Sequence, residues 1–541
     1  MLVAHFDKIL KNGLCYDGLG NSPVTCDIGI TGDRISQMGD LSQSTADEIV
    51  DVSGLCVAPG FINMLSWAVS SLIHDGRSLS DIKQGVTLEI FGEGWSWGPV
   101  NDYIKAEMKS TMYKGLEYDI VWDTLGEYLQ YLENKGISCN VASFVGATTV
   151  RMYVLQEDNR APTHQELLQM KALVRIAMEE GALGVGSSLI YPPAFFATTE
   201  ELIELCKVAS LYGGMYISHM RSEGVKLIEG IEELIRISEE ADIRSEIYHL
   251  KAAGKNNWSK LEAAIAIIEE ARSRGLHITT DMYTYPAAAT GLDSCLPPEV
   301  QDGGRHAFVD RLKDPKIRAE MKEVMGKVSE DWENLYVEAG PDNILLSGFM
   351  KAELEKYMGM RVSEIAKQLG KDPRDTIIDL LIEDESRIDA TYFIMNEENV
   401  KRKVGLPFMS FGSDAGSIAP DGNESKYPVH PRTYGTFARV LGKYVRDEKV
   451  ISLEEAIRKL TSFPAENLGI KDRGTLKEGF YADIVIFDPE NVRDIATYEQ
   501  PHQLAEGMIH VFVNGEQVLK NGEHTGKMPG RAVWGPGKTE S

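Results

Sequence analysis

Along the first 57 residues, short β-rich runs alternate with turn signals: FDKILKNGLCYDG, CDIGITGDRISQMG and DEIVDVSGLCVAPG. Runs of this kind, bounded by Gly, Asn and Asp, predict short antiparallel strands. GFYADIVIFDPENV and MIHVFVNGEQVLKNGE, near the other end, have the same character, and Asn514-Gly515 is a strong hairpin signal. The two ends, residues 1–57 and 465–541, are therefore expected to build one small β domain.

Between them, over residues 58–464, the period changes. Short apolar runs (GVTLEIFG, SCNVASFVG, GALGVGSS, GMYISHM, RSEIYHL, HITTDMYTY, PFMSFGSD) alternate with amphipathic segments such as ELLQMKALVRIAMEEG and KLEAAIAIIEEARSRG. The latter repeat apolar residues at three-to-four spacing and stop at a Gly, which predicts helices. Repeated β-α units imply a parallel sheet, and their number favours an α/β fold of the closed (β/α)8 barrel type over an open, doubly wound sheet. A charged helical stretch at about 296–343 breaks this rhythm and is expected to be an insertion over the barrel mouth.

Composition narrows the function classes. The chain has 541 residues, too many for one simple core, and 43% of them are hydrophobic. With 82 acidic against 56 basic residues, the formal charge of −26 repels nucleic acid and anionic membrane surfaces, so a small molecule is the expected partner. No window approaches the roughly 18 consecutive apolar residues that span a bilayer, and the first residues do not have the pattern of a signal peptide. Six cysteines lie scattered without CxxC spacing, which argues against a disulfide framework and for a reduced, cytoplasmic setting. Oligomeric state is left open by these patterns.

In a parallel barrel the reacting groups stand at the C-terminal ends of strands. Four ends are polar: Glu93 in TLEIFGEGWS, His219 in YISHMRSEG, His249 in SEIYHLKAAG and Asp414 in PFMSFGSDAG. Each alone has an ordinary structural explanation, such as a satisfied histidine or a helix-capping aspartate. Together, two histidines on successive strands and two carboxylates at other strand ends supply ligands suited to zinc and a spare base.

The ordered motifs VDVSGLCVAPGFIN, QGVT, LIYPP, SHMRSEG, HLKAAGKNNW, DMYTYPAAATGL, GSDAG, HPRTYGTFARVLGKYVR and NGEHTGKMPGRAV carry a resemblance over nearly the whole chain. The sequence resembles the D-aminoacylase (N-acyl-D-amino-acid deacylase) branch of the amidohydrolase superfamily. The resemblance implies a (β/α)8 barrel with a β domain assembled from both termini. It also implies His219 and His249 as metal ligands, Asp414 as the essential aspartate, and Arg432 of HPR as the grip on a substrate carboxylate. Tyr191 of LIYPP and Tyr283 of DMYTY join Arg432 as substrate-binding residues.

Two positions depart from the family pattern. Its Pro-Gly-Phe-Ile-Asp-x-His-x-His has Asn63, Leu65 and Trp67 here in place of the aspartate and both histidines, and its Gly-Asn-Cys-Gly, with a metal-binding cysteine, is matched by GEGWS. Loss of His-x-His is expected to abolish the more buried of two metal positions, with Leu65 and Trp67 packing the barrel floor instead. Glu93 in the cysteine's role would complete a His₂Glu set for one divalent ion, zinc, with a place left for water. The expected activity is hydrolysis of the amide bond of N-acyl-D-amino acids or D-residue dipeptides, substrates that bear a carboxylate. Opening of a cyclic amide and a non-catalytic, metal-free binding role are the alternatives.

Overall fold

The computed structural model describes residues 4–112 and 116–539. Residues 1–3 and 540–541, at the outer limits of the expected β domain, lie outside them. Strands His5–Cys15, Val24–Thr31, Arg34–Gly39, Thr45–Asp51 and Cys56–Pro59 from the N-terminal part join Ile484–Phe487, Met508–Val513, Glu516–Lys520 and Glu523–His524 in one nine-stranded sheet. The two ends of the chain meet where Cys56–Pro59 pairs antiparallel with Ile484–Phe487. Asn514 and Gly515 both have positive φ, 49° and 78°, and form the turn between Met508–Val513 and Glu516–Lys520.

The chain passes from this sheet into the barrel through Gly60. A Cβ there would lie 2.0 Å from Thr87 Oγ1, so only glycine allows the two strands so close. Eight parallel strands follow: β1 (Phe61–Asn63), β2 (Val86–Phe91), β3 (Asn140–Ser143, continued by Val145–Gly146), β4 (Gly184–Ser188), β5 (Met215–His219), β6 (Arg244–Ile247), β7 (Ile278–Met282) and β8 (Met409–Phe411). Each pairs with the next, from β1·β2 through β7·β8. The ring closes as Met64 N donates to Phe411 O at 3.1 Å and Ser66 bridges Ala415 in parallel. The fold is a (β/α)8 barrel with a β-sheet domain. The continuous apolar runs seen in the sequence are its strands, buried on both faces by the barrel core inside and helices outside.

Two features differ from the sequence expectation. The helical stretch at 296–343 is part of a larger unit between β7 and β8, built on a three-stranded antiparallel sheet of Ala288–Gly291, Ile344–Gly348 and Asp389–Tyr392. This unit has its own core, which includes Leu292, Phe308, Leu346, Ile377 and Tyr392. The expected boundary at 465 falls inside the helix Ser462–Leu468, and the chain after His524 runs back along the barrel, where Val141 N donates to Arg531 O and Val533 N to Val141 O. A tail bonded to the barrel wall has few apolar side chains of its own, so its sequence carried no sign of the docking. Among the described residues no helix is long and apolar enough to cross a membrane, and all six cysteines are free thiols.

The loop after β2 is held at backbone contact on both sides. A Cβ on Gly186 would lie 1.9 Å from Gly92 O, and one on Gly146 would lie 2.2 Å from Gly94 O. Gly92 and Gly94 themselves take φ of 107° and 72°, which turns the residue between them, Glu93, into the mouth. Substituting Gly186→Ala is expected to displace this loop and destabilise the protein by about 1–3 kcal/mol, read as a lower urea midpoint at unchanged m-value.

Candidate metal centre

All four strand-end candidates stand at the C-terminal mouth of the barrel. His219 is the last residue of β5, Glu93 and His249 lie two residues beyond β2 and β6, and Asp414 lies three beyond β8. His249 and Asp414 both have positive φ, 36° and 50°, a costly conformation for such residues. Each is fixed through its own backbone N–H: His249 N donates to the Asp281 side-chain Oδ1 at 2.7 Å, and Asp414 N donates to Leu65 O at 2.8 Å.

Glu93, His219 and His249 converge. Glu93 Oε1 lies 2.8 Å from His219 Nδ1 and 2.9 Å from His249 Nε2. One donor atom from each residue lies within 4.8 Å of the others, and all three side chains are buried. Burial works to raise the Glu93 pKa, but the two imidazoles outweigh it and hold the carboxyl well below its ordinary range.

A second carboxylate stands behind the histidines. Glu223 Oε1 lies 2.9 Å from His249 Nδ1, and Glu223 Oε2 lies 3.5 Å from His219 Nε2. A His249 Nδ1–H given to Glu223 leaves the Nε2 lone pair directed at the Glu93 side, the arrangement by which outer carboxylates orient metal-binding imidazoles. Lys251 Nζ joins this group, 2.5 Å from Glu223 Oε1 and 2.7 Å from His249 Nδ1. Burial and the Lys251 ammonium lower the His249 pKa, while Glu223 and Glu93 on its two nitrogens raise it, to about 10. Two nitrogens and a carboxylate oxygen facing one point, with outer partners already in place, suit a divalent ion such as zinc.

Asp414 and Arg432 meet directly, with Arg432 Nη1 2.7 Å from Asp414 Oδ2. Burial raises the Asp414 pKa, Arg432 opposes the rise and Glu93 adds to it, leaving the carboxyl above its ordinary value. Arg432 is only 5% exposed, yet its Nε and Nη1 make no well-aligned hydrogen bond, and Nη2 reaches only Ala289 O at 3.5 Å. The guanidinium also sits 4.6 Å over the Tyr283 ring, whose buried hydroxyl has no hydrogen-bond partner. A buried guanidinium and phenol left under-satisfied together are donors waiting for an acceptor.

Tyr191 stands apart from this pair. Its ring packs edge-on against His219 at 5.3 Å, and its hydroxyl bonds Thr290 Oγ1 at 2.8 Å, so it faces the inserted unit and not Arg432. Leu65 is buried in the barrel floor as expected from its apolar side chain. Trp67 is not merely packing, because its indole Nε1–H donates to Glu93 Oε2 at 2.9 Å. Sequence reasoning missed Glu223, Lys251 and this bond. Glu223 and Lys251 follow His219 and His249 by four and two residues within the same quoted motifs, so the polar residues just past each strand end were the available signal.

Comparison with known proteins fits this geometry. The chain is 33% identical to D-aminoacylase of Alcaligenes xylosoxydans xylosoxydans over 529 residues, 98% of this chain and 97% of that protein. It belongs to the D-aminoacylase family of amidohydrolases. A model of the wider amidohydrolase family matches residues 413–519. Among solved structures of this family, a D-aminoacylase with a binuclear metal centre, activated by one metal and attenuated by a second, aligns with a TM-score of 0.80 at 31% identity, covering 98% of this chain and 99% of that one. N-acyl-D-glutamate deacylase of Bordetella bronchiseptica, complexed with zinc and a phosphonate mimic of the tetrahedral intermediate, aligns with a TM-score of 0.81 at 27% identity, covering 98% and 100%.

In this family member one oxygen of Glu223 is shared by Lys251 and the outer nitrogen of His249. Glu223→Gln removes the carboxylate that pairs with the buried Lys251 and supports His249, and is expected to cost the metal-free protein about 3–5 kcal/mol in urea unfolding.

Proposed function

We propose that the protein hydrolyses the amide bond of N-acyl-D-amino acids, with one divalent ion, zinc, held by Glu93, His219 and His249. The observation that carries this reading is the convergence of those three donors beside a base, Asp414, that is itself beside an under-satisfied arginine. The relatives named above support it: one is a D-aminoacylase, and another is an N-acyl-D-glutamate deacylase complexed with zinc.

When bound, the ion polarises the scissile carbonyl and acidifies water. Asp414 accepts the proton of the attacking water on a carboxylate oxygen and returns it to the departing amine nitrogen. Its raised pKa makes it a better proton acceptor than an exposed aspartate. Arg432 and the Tyr283 hydroxyl grip the substrate's α-carboxylate by charge-assisted hydrogen bonds. Tyr191 walls the site on the His219 side, where the acyl group or side chain passes.

The test pairs metal analysis with an assay of N-acyl-D-amino acids, N-acyl-L-amino acids and D-residue dipeptides. Turnover of the D substrates and its loss on chelation are expected; a chain with no affinity for zinc and no turnover would overturn the proposal. Asp414→Asn is expected to lower kcat by about 10²–10⁴-fold while metal content stays at the wild-type value. Because Asp414 acts as the carboxylate, kcat/KM falls as pH drops through its pKa, and the acid limb should lie above the ordinary aspartate value of about 4.

A further inference from the structure

Trp67 makes a contact that packing alone does not require. Its half-buried indole donates to Glu93 Oε2, whereas Glu93 Oε1 is the oxygen that faces both histidines. A carboxylate has two oxygens, each able to take an ion, and its rotation decides whether it offers one, chelates with both or bridges two ions. An indole N–H is a donor only, with no lone pair to give a metal. The bond to Oε2 therefore commits that oxygen to the protein and presents Oε1 alone to His219 and His249.

Leu65 closes the space below. It is fully buried among Ile62, Met64, Leu88 and Ile90, and a Cβ on Gly412 would lie 2.8 Å from its own Cβ. A second ion beside the first would need Glu93 Oε2 and further donors from this strand end. Leu65 has no donor atom, and Trp67 has only a proton.

We infer that Trp67 is a positioning residue that holds Glu93 as a one-oxygen ligand and, with Leu65, restricts the centre to a single ion. The second-metal attenuation described for the binuclear D-aminoacylase then has no site here. This rests on the proposed metal role of Glu93, His219 and His249, and the experiment separates the two.

Metal-free protein is titrated with Zn²⁺ by calorimetry, and its Co²⁺ form is followed by visible absorption. The wild type is expected to bind one ion per chain and to keep its activity in excess Zn²⁺. Trp67→Phe is expected to bind Zn²⁺ about 10–100-fold more weakly, the loss usual for an outer partner of a ligand, with an altered Co²⁺ spectrum and a wild-type circular dichroism spectrum. The double variant Leu65→His, Trp67→His is expected to bind two ions. Two ions on the wild type would overturn the inference, as would Trp67→Phe with unchanged affinity and spectrum, or a double variant that still binds one. A wild-type site that survives His219→Ala would overturn the ligand assignment instead, and no binding at all would overturn both.

Discussion

The structure turns on one carboxylate oxygen. Glu93 Oε1 sits within hydrogen-bond distance of imidazoles from two different strands, and nearly everything around it acts to keep it there. Burying a carboxylate is costly, and here the cost is met by the two imidazoles in front and the Trp67 indole behind. The next ring of contacts repeats the pattern with opposite sign. Glu223 balances the histidines from their outer nitrogens, and Lys251 balances Glu223. Carboxylates and nitrogen groups alternate outward from the centre, so removing one leaves its buried neighbours short of a partner.

The barrel makes this possible by geometry and not by bulk. Adjacent strands end side by side at the mouth, which brings His219 at the end of β5 and His249 just beyond β6 together. Glu93 comes from β2 and would fall short of them if its loop carried side chains. The glycines at 92, 94, 146 and 186 let that loop lie against the β3 and β4 backbones, and the reach of the glutamate side chain does the rest. The positive φ values of His249 and Asp414 fit the same pattern, since the backbone N–H of each is held by an acceptor on a neighbouring strand or strand end, the Asp281 carboxylate and Leu65 O.

Much of this was legible in the sequence. Parallel barrel strands are buried on both faces, so they appear as continuous apolar runs, and a lone polar residue closing such a run is conspicuous. That is how Glu93, His219, His249 and Asp414 could be picked out before any distance was known. The antiparallel sheet of the inserted unit was not legible, because its strands of four or five residues are separated by tens of positions, and only tertiary contact pairs them. Nor was the role of Trp67, since an aromatic in a buried run looks like packing until its one polar atom is seen to have a partner. The direction in which Tyr191 points was equally hidden, for it depends on Thr290, about a hundred residues away.

If Arg432 and Asp414 have the proposed roles, their contact has a consequence for selectivity. An incoming carboxylate and Asp414 compete for one guanidinium. A substrate carboxylate would draw Arg432 toward itself, and Asp414, relieved of its cation, would become more basic at the moment the substrate is in place. A neutral amide offers nothing to draw the arginine away, so the base stays tied. Discrimination of this kind would be exerted on reactivity as well as on affinity, and would leave the resting site inert toward amides that merely fit.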